Sequence, residues 1–265
     1  MSNETNIHNY TPEEKMIPKV IHYCWISGDP FPEKIQKCYD SWKRVLPDYE
    51  IIVWDYAKAH AIGSKWVDQA IKTKKYAFVA DYIRFYALYN YGGIYLDSDV
   101  EVLKPFDDLL SLRYFIGKEK DSRGGIEAAI IGAEKGLPWI KFCLDYYKNR
   151  PFIDMFGDLQ IIELPYIMRL GLPSKYSLVD CDNLKEWGWD ENKICLFPVD
   201  WFSPKSYLTY EIDVKPITYT IHHFSGSWLT NTIEYKRTPL QATFFFIRRC
   251  WRWFLKRFKR IFKIA

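Results

Sequence analysis

Apolar and polar positions alternate between two periods along this chain, and the alternation predicts its elements. Lys19–Gly28, "KVIHYCWISG", reads as a buried strand running into a turn. Ile35, Cys38, Trp42 and Val45 in the next segment recur at helical spacing, and "EIIVWD" follows as a second strand. Strand, helix and strand within about 35 residues have the size of a βαβ unit. A further helix is expected over roughly Ser64 to Thr73. In "AFVADYIRFYALYNYGG", Phe78, Tyr82, Phe85, Leu88 and Tyr89 fall on one helical face, and Gly92-Gly93 is a natural stop. "IYLDSDVEV" reads as the strand after it. "YFIGKE", "IEAAIIGAEKGLP" and helical "WIKFCLDYY" follow. "ICLFPVDWFSP" and "KPITYTIHHFSGSW" look like short strands and loops. Helices alternating with strands predict an α/β domain with a mostly parallel sheet.

The last segment has a different pattern. Read as a helix, Phe244, Ile247, Trp251, Phe254, Leu255, Phe258, Ile261 and Phe262 form an apolar stripe, opposite Arg249, Arg252, Lys256, Lys259, Arg260 and Lys263. That is the pattern of a helix lying in a membrane interface on anionic lipid. Nucleic-acid binding and docking on the protein's own core are the other readings of such a run. Three parts are expected: a polar leader over 1–16, a catalytic domain over 17–238, and a basic amphipathic helix over 239–265.

Charge sharpens this division. The formal net charge is +4, yet residues 248–265 alone hold eight basic side chains and no acid, so the remainder is mildly acidic. The six cysteines, Cys24, Cys38, Cys143, Cys181, Cys195 and Cys250, show no CxxC spacing and read as thiols of a reducing compartment. The first residues show no apolar signal region, and nothing approaches the roughly 18 apolar residues that span a bilayer. A cytoplasmic protein, peripheral on the inner face of the cell membrane, is expected. The aromatic load, 11 Trp, 20 Tyr and 17 Phe, suits a core and also stacking on bases or sugar rings.

The candidate chemistry centres on "YLDSD". Asp97 and Asp99 end an apolar strand, where ligands bind in open α/β sheets. On extended backbone they would lie on one side, about 6.8 Å apart. Two such acids repel each other unless a hard divalent cation, Mn²⁺ or Mg²⁺, sits between them and a diphosphate. Asp81 and Arg84, three apart in a helix, share a face. No phosphate loop of the GxxxxGK[ST] type is present, which counts against other nucleotide enzymes.

The string "ADYIRFYALYNYGGIYLDSD", Ala80 to Asp99, with "IPKVIHYCWISG" before it and "IHHFSGSW" after it, resembles glycosyltransferase family 32, the DXD-type sugar transferases. The resemblance runs from about Ile17 to Leu229. It implies a GT-A type nucleotide-diphospho-sugar transferase fold, a Rossmann-like mixed sheet with flanking helices. It also implies a nucleotide-sugar donor, a divalent metal and retention of anomeric configuration. Carried over by position, Asp99 binds the metal directly, and Asp97 approaches it while contacting the donor. Asp81 and Arg84 hold the transferred sugar and the phosphates. Tyr95 lies beside the donor, and Trp25 stacks on the nucleobase. In the late loop, Ser227 and Trp228 close over the donor, and His223, with His222 in reserve, completes the metal shell.

The expected activity is therefore retaining hexosyl transfer, without a covalent intermediate, from a nucleotide-sugar with UDP-sugars ahead. The acceptor would be a glycan or lipid-linked oligosaccharide in bacterial surface polysaccharide biosynthesis, with residues 244–265 on an anionic membrane and no nucleic-acid partner. A nucleotidyltransferase using the same metal site and a non-catalytic sugar-binding protein at a membrane are the rival readings. Glu127 is an acceptor-side candidate where the family pattern expects an Asn-like residue. Asp158 and Gln160 stand where the family's Thr-Gly-Pro is missing.

Overall fold

The computed structural model describes residues 17–121 and 125–225. Strand β1 (Val20–Cys24), helix α1 (Glu33–Val45) and strand β2 (Glu50–Trp54) form the expected unit, with β1 and β2 parallel in the register Ile21–Ile51 and Tyr23–Val53. Pro32 stands at the N-cap of α1, Glu33 in its first turn, and Lys43 and Arg44 in its last, each sign favourable to the helix dipole. Its buried positions, Ile35, Cys38, Ser41 and Trp42, keep the helical spacing.

Helices α2 (Tyr56–Ala61) and α3 (Lys65–Lys72) lead to α4 (Tyr76–Tyr91). One apolar face was expected for α4. Instead Phe78, Val79, Ile83, Phe85, Ala87 and Leu88 are all buried, with Arg84 among them. A helix apolar nearly all round belongs inside a protein rather than on its surface. The chain leaves α4 through Gly92 (φ +72°) and Gly93 (φ +102°). A Cβ on Gly93 would stand 2.6 Å from the Val20 carbonyl oxygen, so only glycine lets β3 (Gly93–Leu96) lie this close beside β1.

The continuous strand read from "IYLDSDVEV" is broken. It stops at Leu96, turns through Asp97–Asp99 with Val100 N–H donating to Asp97 O at 3.0 Å, and resumes as β4 (Val100–Val102) outside the main sheet. The remaining elements are β5 (Tyr114–Gly117), β6 (Glu127–Ala133), α5 (Pro138–Asp145), α6 (Leu164–Gly171), β7 (Ser177–Asp180), β8 (Lys193–Leu196), α7 (Val199–Phe202) and β9 (Thr220–His222). The main sheet runs β2-β1-β3-β6-β5. It is parallel at β2-β1 and β1-β3 but antiparallel at β3-β6 and β6-β5, so the expectation of a mostly parallel sheet is corrected to a mixed one.

Alternate residues of the central strands feed two cores. Tyr95 and Ile131 pack with α3, α4 and α5, while Ile94, Leu96 and Ile130 pack with Trp42 of α1 and a set of rings from the second half. Much of the aromatic load is spent there: Phe106, Phe115, Phe202 and Tyr219 stack on one another with centroids 5.4 to 6.0 Å apart. Among the described residues no helix is long and apolar enough to cross a membrane. The expected leader, the expected helix over 239–265, Ser227 and Trp228 lie outside the described residues.

Candidate metal and donor site

β1 and β3 are neighbours in parallel register, so their carboxyl ends bring Trp25 and Asp97 to one edge of the sheet. α4 lies against both strands and carries Asp81 and Arg84 to that edge.

Arg84 is the hub. Its Nη2 lies 3.1 and 3.5 Å from the two carboxylate oxygens of Asp97 and 3.4 Å from Asp81 Oδ1. Its Nη1 donates to the Ala128 carbonyl on β6, and the guanidinium stacks 4.6 Å from the Tyr95 ring centroid. Tyr95 O–H donates to Asp97 Oδ1 at 3.0 Å. The expected Asp81–Arg84 pair is present, but it is no exposed helix salt bridge: the Arg84 side chain is 4% exposed and that of Asp81 13%. Burial pushes the Asp81 carboxyl up to about 7, because it outweighs the lowering effect of Arg84. Burial also raises Asp97, again opposed by Arg84.

Asp99 is held differently. The Ser225 backbone N–H donates to its Oδ2 at 2.7 Å, and His223 N–H donates to its carbonyl at 3.1 Å. β4 pairs antiparallel with β9, placing Val100 opposite His222. From there His222 Nε2 stands 3.6 Å from Asp99 Oδ1, and its Nδ1 stands 3.4 Å from Glu127 Oε1. Burial works against a charged His222, yet Glu127 and Asp99 overcome it and hold the ring up to about 10. In return, burial raises Asp99 and Glu127, but both still fall below the usual carboxylate range, the charge of His222 being the largest of the causes that lower each. From below, Trp42 Nε1–H of α1 donates to Val100 O at 2.7 Å, and Ser41 Oγ accepts Val102 N–H at 2.9 Å, fixing β4 on that helix.

Ligand atoms of Asp97, Asp99 and His222 lie within 4.8 Å of one another. Two carboxylates and an imidazole are a donor set that fits a divalent cation taking oxygen and nitrogen ligands. The structure therefore brings Asp97 and Asp99 together as expected but changes the histidine. His223, the sequence choice, turns to Glu101 with Nε2 2.9 Å from Oε2, while His222 faces the aspartates. β9 ends at His222, and His223, the next residue along, turns the other way. Trp25 sits half-buried at the end of β1, its Nε1–H donating to Asp29 O at 2.8 Å and its ring meeting Phe31 edge-on at 4.7 Å.

Glu127, the acceptor-side candidate, is buried. It is 1% exposed, and its Oε1 accepts Ala129 N–H at 2.8 Å. Asp158 and Gln160 belong to a loop closed by pairing of Ile153 with Leu159 and tied to α3 through Ile153 N–H and Gln69 Oε1 at 2.9 Å. In the sequence Glu127 stands out as an acid at the start of an otherwise apolar strand.

Residues 32–116 match the family model described as glycosyltransferase sugar-binding region containing DXD motif. The chain is 32% identical over 146 residues to inositol phosphoceramide mannosyltransferase 3 of Schizosaccharomyces pombe, covering 54% of this chain and 39% of that protein. It is 30% identical over 159 residues to mannosyl phosphorylinositol ceramide synthase SUR1 of Saccharomyces cerevisiae, covering 55% and 40%. It is also 30% identical over 158 residues to the initiation-specific alpha-1,6-mannosyltransferase of Candida albicans, covering 52% and 37%. The chain thus spans about two fifths of the length of these curated relatives. Glu127 and His222 fall beyond the matched region, whereas Asp81, Arg84, Asp97 and Asp99 fall within it. Over residues 32–116, then, the chain is similar to glycosyltransferase sugar-binding regions that contain the DXD motif.

Proposed function

We propose that this protein is a retaining glycosyltransferase of GT-A-like fold that moves a hexosyl unit from a nucleoside-diphosphate sugar to a hydroxyl of a glycan or lipid-linked acceptor. The observation that carries the reading is the convergence of Asp97, Asp99 and His222 beside the buried Arg84–Asp81 pair, inside or next to the DXD region. Asp97, Asp99 and His222 would hold a divalent cation, Mn²⁺ or Mg²⁺. Once bound, that cation supplies Lewis-acid charge to the donor's diphosphate. Arg84 adds a fixed positive charge beside the bond that breaks, and needs no reorganisation because Asp97, Asp81, Ala128 O and Tyr95 already hold it. Asp81 lines the donor's sugar side, Tyr95 lies fully buried behind it and holds Asp97 and Arg84 in place, and Trp25 offers a ring face to the donor's base. Ser227 and Trp228 keep the closing role that the sequence resemblance implies. No side chain is assigned as a covalent nucleophile.

Kinship with enzymes named for mannosyl transfer supports mannose as the first sugar to test, with UDP-sugars beside GDP-mannose as donors. The fungal relatives named for inositol phosphoceramide support a lipid-linked acceptor more than a bacterial surface polysaccharide. A lipid acceptor also suits the basic aromatic pattern of residues 239–265, which supports a peripheral position on the cytoplasmic face of a membrane. The test incubates the full chain with Mn²⁺ and each nucleotide-sugar and measures release of nucleoside diphosphate. We expect release from at least one donor, with Asp99→Asn lowering it at least about 100-fold, the scale of losing a principal transition-state charge partner. Release of pyrophosphate instead, or an Asp99→Asn protein as active as the wild type, would overturn the proposal.

A further inference from the structure

β6 begins with a charge that its surroundings do not favour. Glu127 is followed by Ala128, Ala129, Ile130 and Ile131, all buried, and is itself 1% exposed. Burying a carboxylate is strongly unfavourable if no partner meets it. The strand register explains how it comes to be buried. β5 and β6 pair regularly through Ile116–Ile131, then the register shifts and Gly117 stands opposite Glu127. Such an irregularity re-aims a side chain. Here Glu127 Oε1 ends 2.8 Å from Ala129 N and 3.4 Å from His222 Nδ1.

His222 consequently stands between two sets of acids. Nε2 faces Asp99, with Asp97 close by, and the ring also meets Glu127 and Glu119, whose ligand atoms cluster with it inside 4.8 Å. The acids on both sides favour the ring with both N–H groups; a ring that ligates a cation through Nε2 would keep one N–H, on Nδ1 beside Glu127. If Nδ1–H is directed at Glu127, the lone pair on Nε2 is left facing the aspartates. Carboxylates behind metal-binding histidines set ring orientation and tautomer in this way.

We propose that Glu127 is a positioning residue for the cation site: by pairing with His222 Nδ1, 3.4 Å away, it fixes the ring so that Nε2 points to the Asp97–Asp99 pair. The inference rests on the metal-site reading given above, and it concerns a residue outside the matched sugar-binding region. Glu127 touches neither donor nor cation; it acts through His222.

The test measures Mn²⁺ affinity of the full chain by titration calorimetry for wild type, Glu127→Gln, Glu127→Asp, His222→Ala and the double variant Glu127→Gln/His222→Ala, with thermal melts as the check on folding. Either Glu127 variant, Gln without the charge or Asp one methylene short, should bind Mn²⁺ about 10- to 100-fold more weakly than wild type. In the His222→Ala background Glu127→Gln should have no further effect. In the Mg²⁺-loaded wild type, long-range ¹H–¹⁵N spectra should show the His222 proton on Nδ1. An unchanged Mn²⁺ affinity in both Glu127 variants, an undiminished Glu127→Gln effect without His222, or a proton on Nε2 with the ion on Nδ1 would each overturn the inference. A wild type that binds no Mn²⁺ would overturn it together with the metal-site reading.

Discussion

Replacing Arg84 by methionine removes the charge and keeps most of the bulk. In the native protein the guanidinium reaches Asp97 at 3.1 and 3.5 Å, Asp81 at 3.4 Å and the Ala128 carbonyl, in a setting where its own side chain is 4% exposed. Methionine would leave two part-buried carboxylates, Asp81 and Asp97, without their cation. Breaking a buried pair from one side costs about 3–5 kcal/mol, and at about 2–4 °C per kcal/mol for a domain of this size the melting point should fall roughly 6–20 °C. The deficit should also depend on pH. Burial already lifts Asp81 to about 7 against the opposing pull of Arg84; without Arg84 it rises further, and Asp97 rises with it. A carboxyl whose folded pKa exceeds its unfolded value binds more protons when folded, so its contribution to stability is present at low pH and lost as pH rises through the folded value. Each such group contributes a slope of up to about 1.4 kcal/mol per pH unit. Urea unfolding followed by tryptophan fluorescence should therefore give a larger gap between wild type and Arg84→Met at about pH 8 than at about pH 5.5. A gap below about 1 kcal/mol, the level of an exposed pair, or one equal at both pH values would refute this account of the hub.

Two further outcomes are expected. Gly93→Ala places a Cβ 2.6 Å from Val20 O at φ +102°, and strain plus forced separation of β1 and β3 should cost about 2–5 kcal/mol in urea unfolding; a loss within about 0.5 kcal/mol would remove the close-approach argument. His22 is fully buried, with Nε2 2.9 Å from Gly92 O and Nδ1 accepting Trp54 Nε1–H at 3.3 Å, and burial lowers its pKa. Its imidazole should stay neutral in NMR titration as pH falls through 6.5, and stability should drop there because the unfolded chain binds the proton that the folded one refuses; a ring that titrates at 6.5 or above contradicts the burial.

Local pattern was enough to read β1, α1, β2, the helix before Gly92-Gly93 and the Asp97/Asp99 pair, because each is set by neighbours a few residues apart. Asp81 and Arg84 were legible for the same reason, being one helical turn apart. Their burial was not, since it comes from strands and helices packed against α4 from elsewhere in the chain. The break of the third strand at Asp97 depends on β4 leaving the sheet to pair with β9, more than a hundred residues on. The choice between two adjacent histidines depends on that same pairing. Opposite Val100, residue 222 faces the aspartates and residue 223 faces Glu101, and a one-residue slip in register would exchange them. Glu127 reads in sequence as one acid at the start of an apolar strand; only the shifted register against β5 and the arrival of β9 turn it into the group behind His222. The sequence by itself determined which residue types could bind a cation and a diphosphate, through short-range spacing. The tertiary structure decided which of them meet, because strand pairing between distant segments sets the direction of every side chain at the sheet edge.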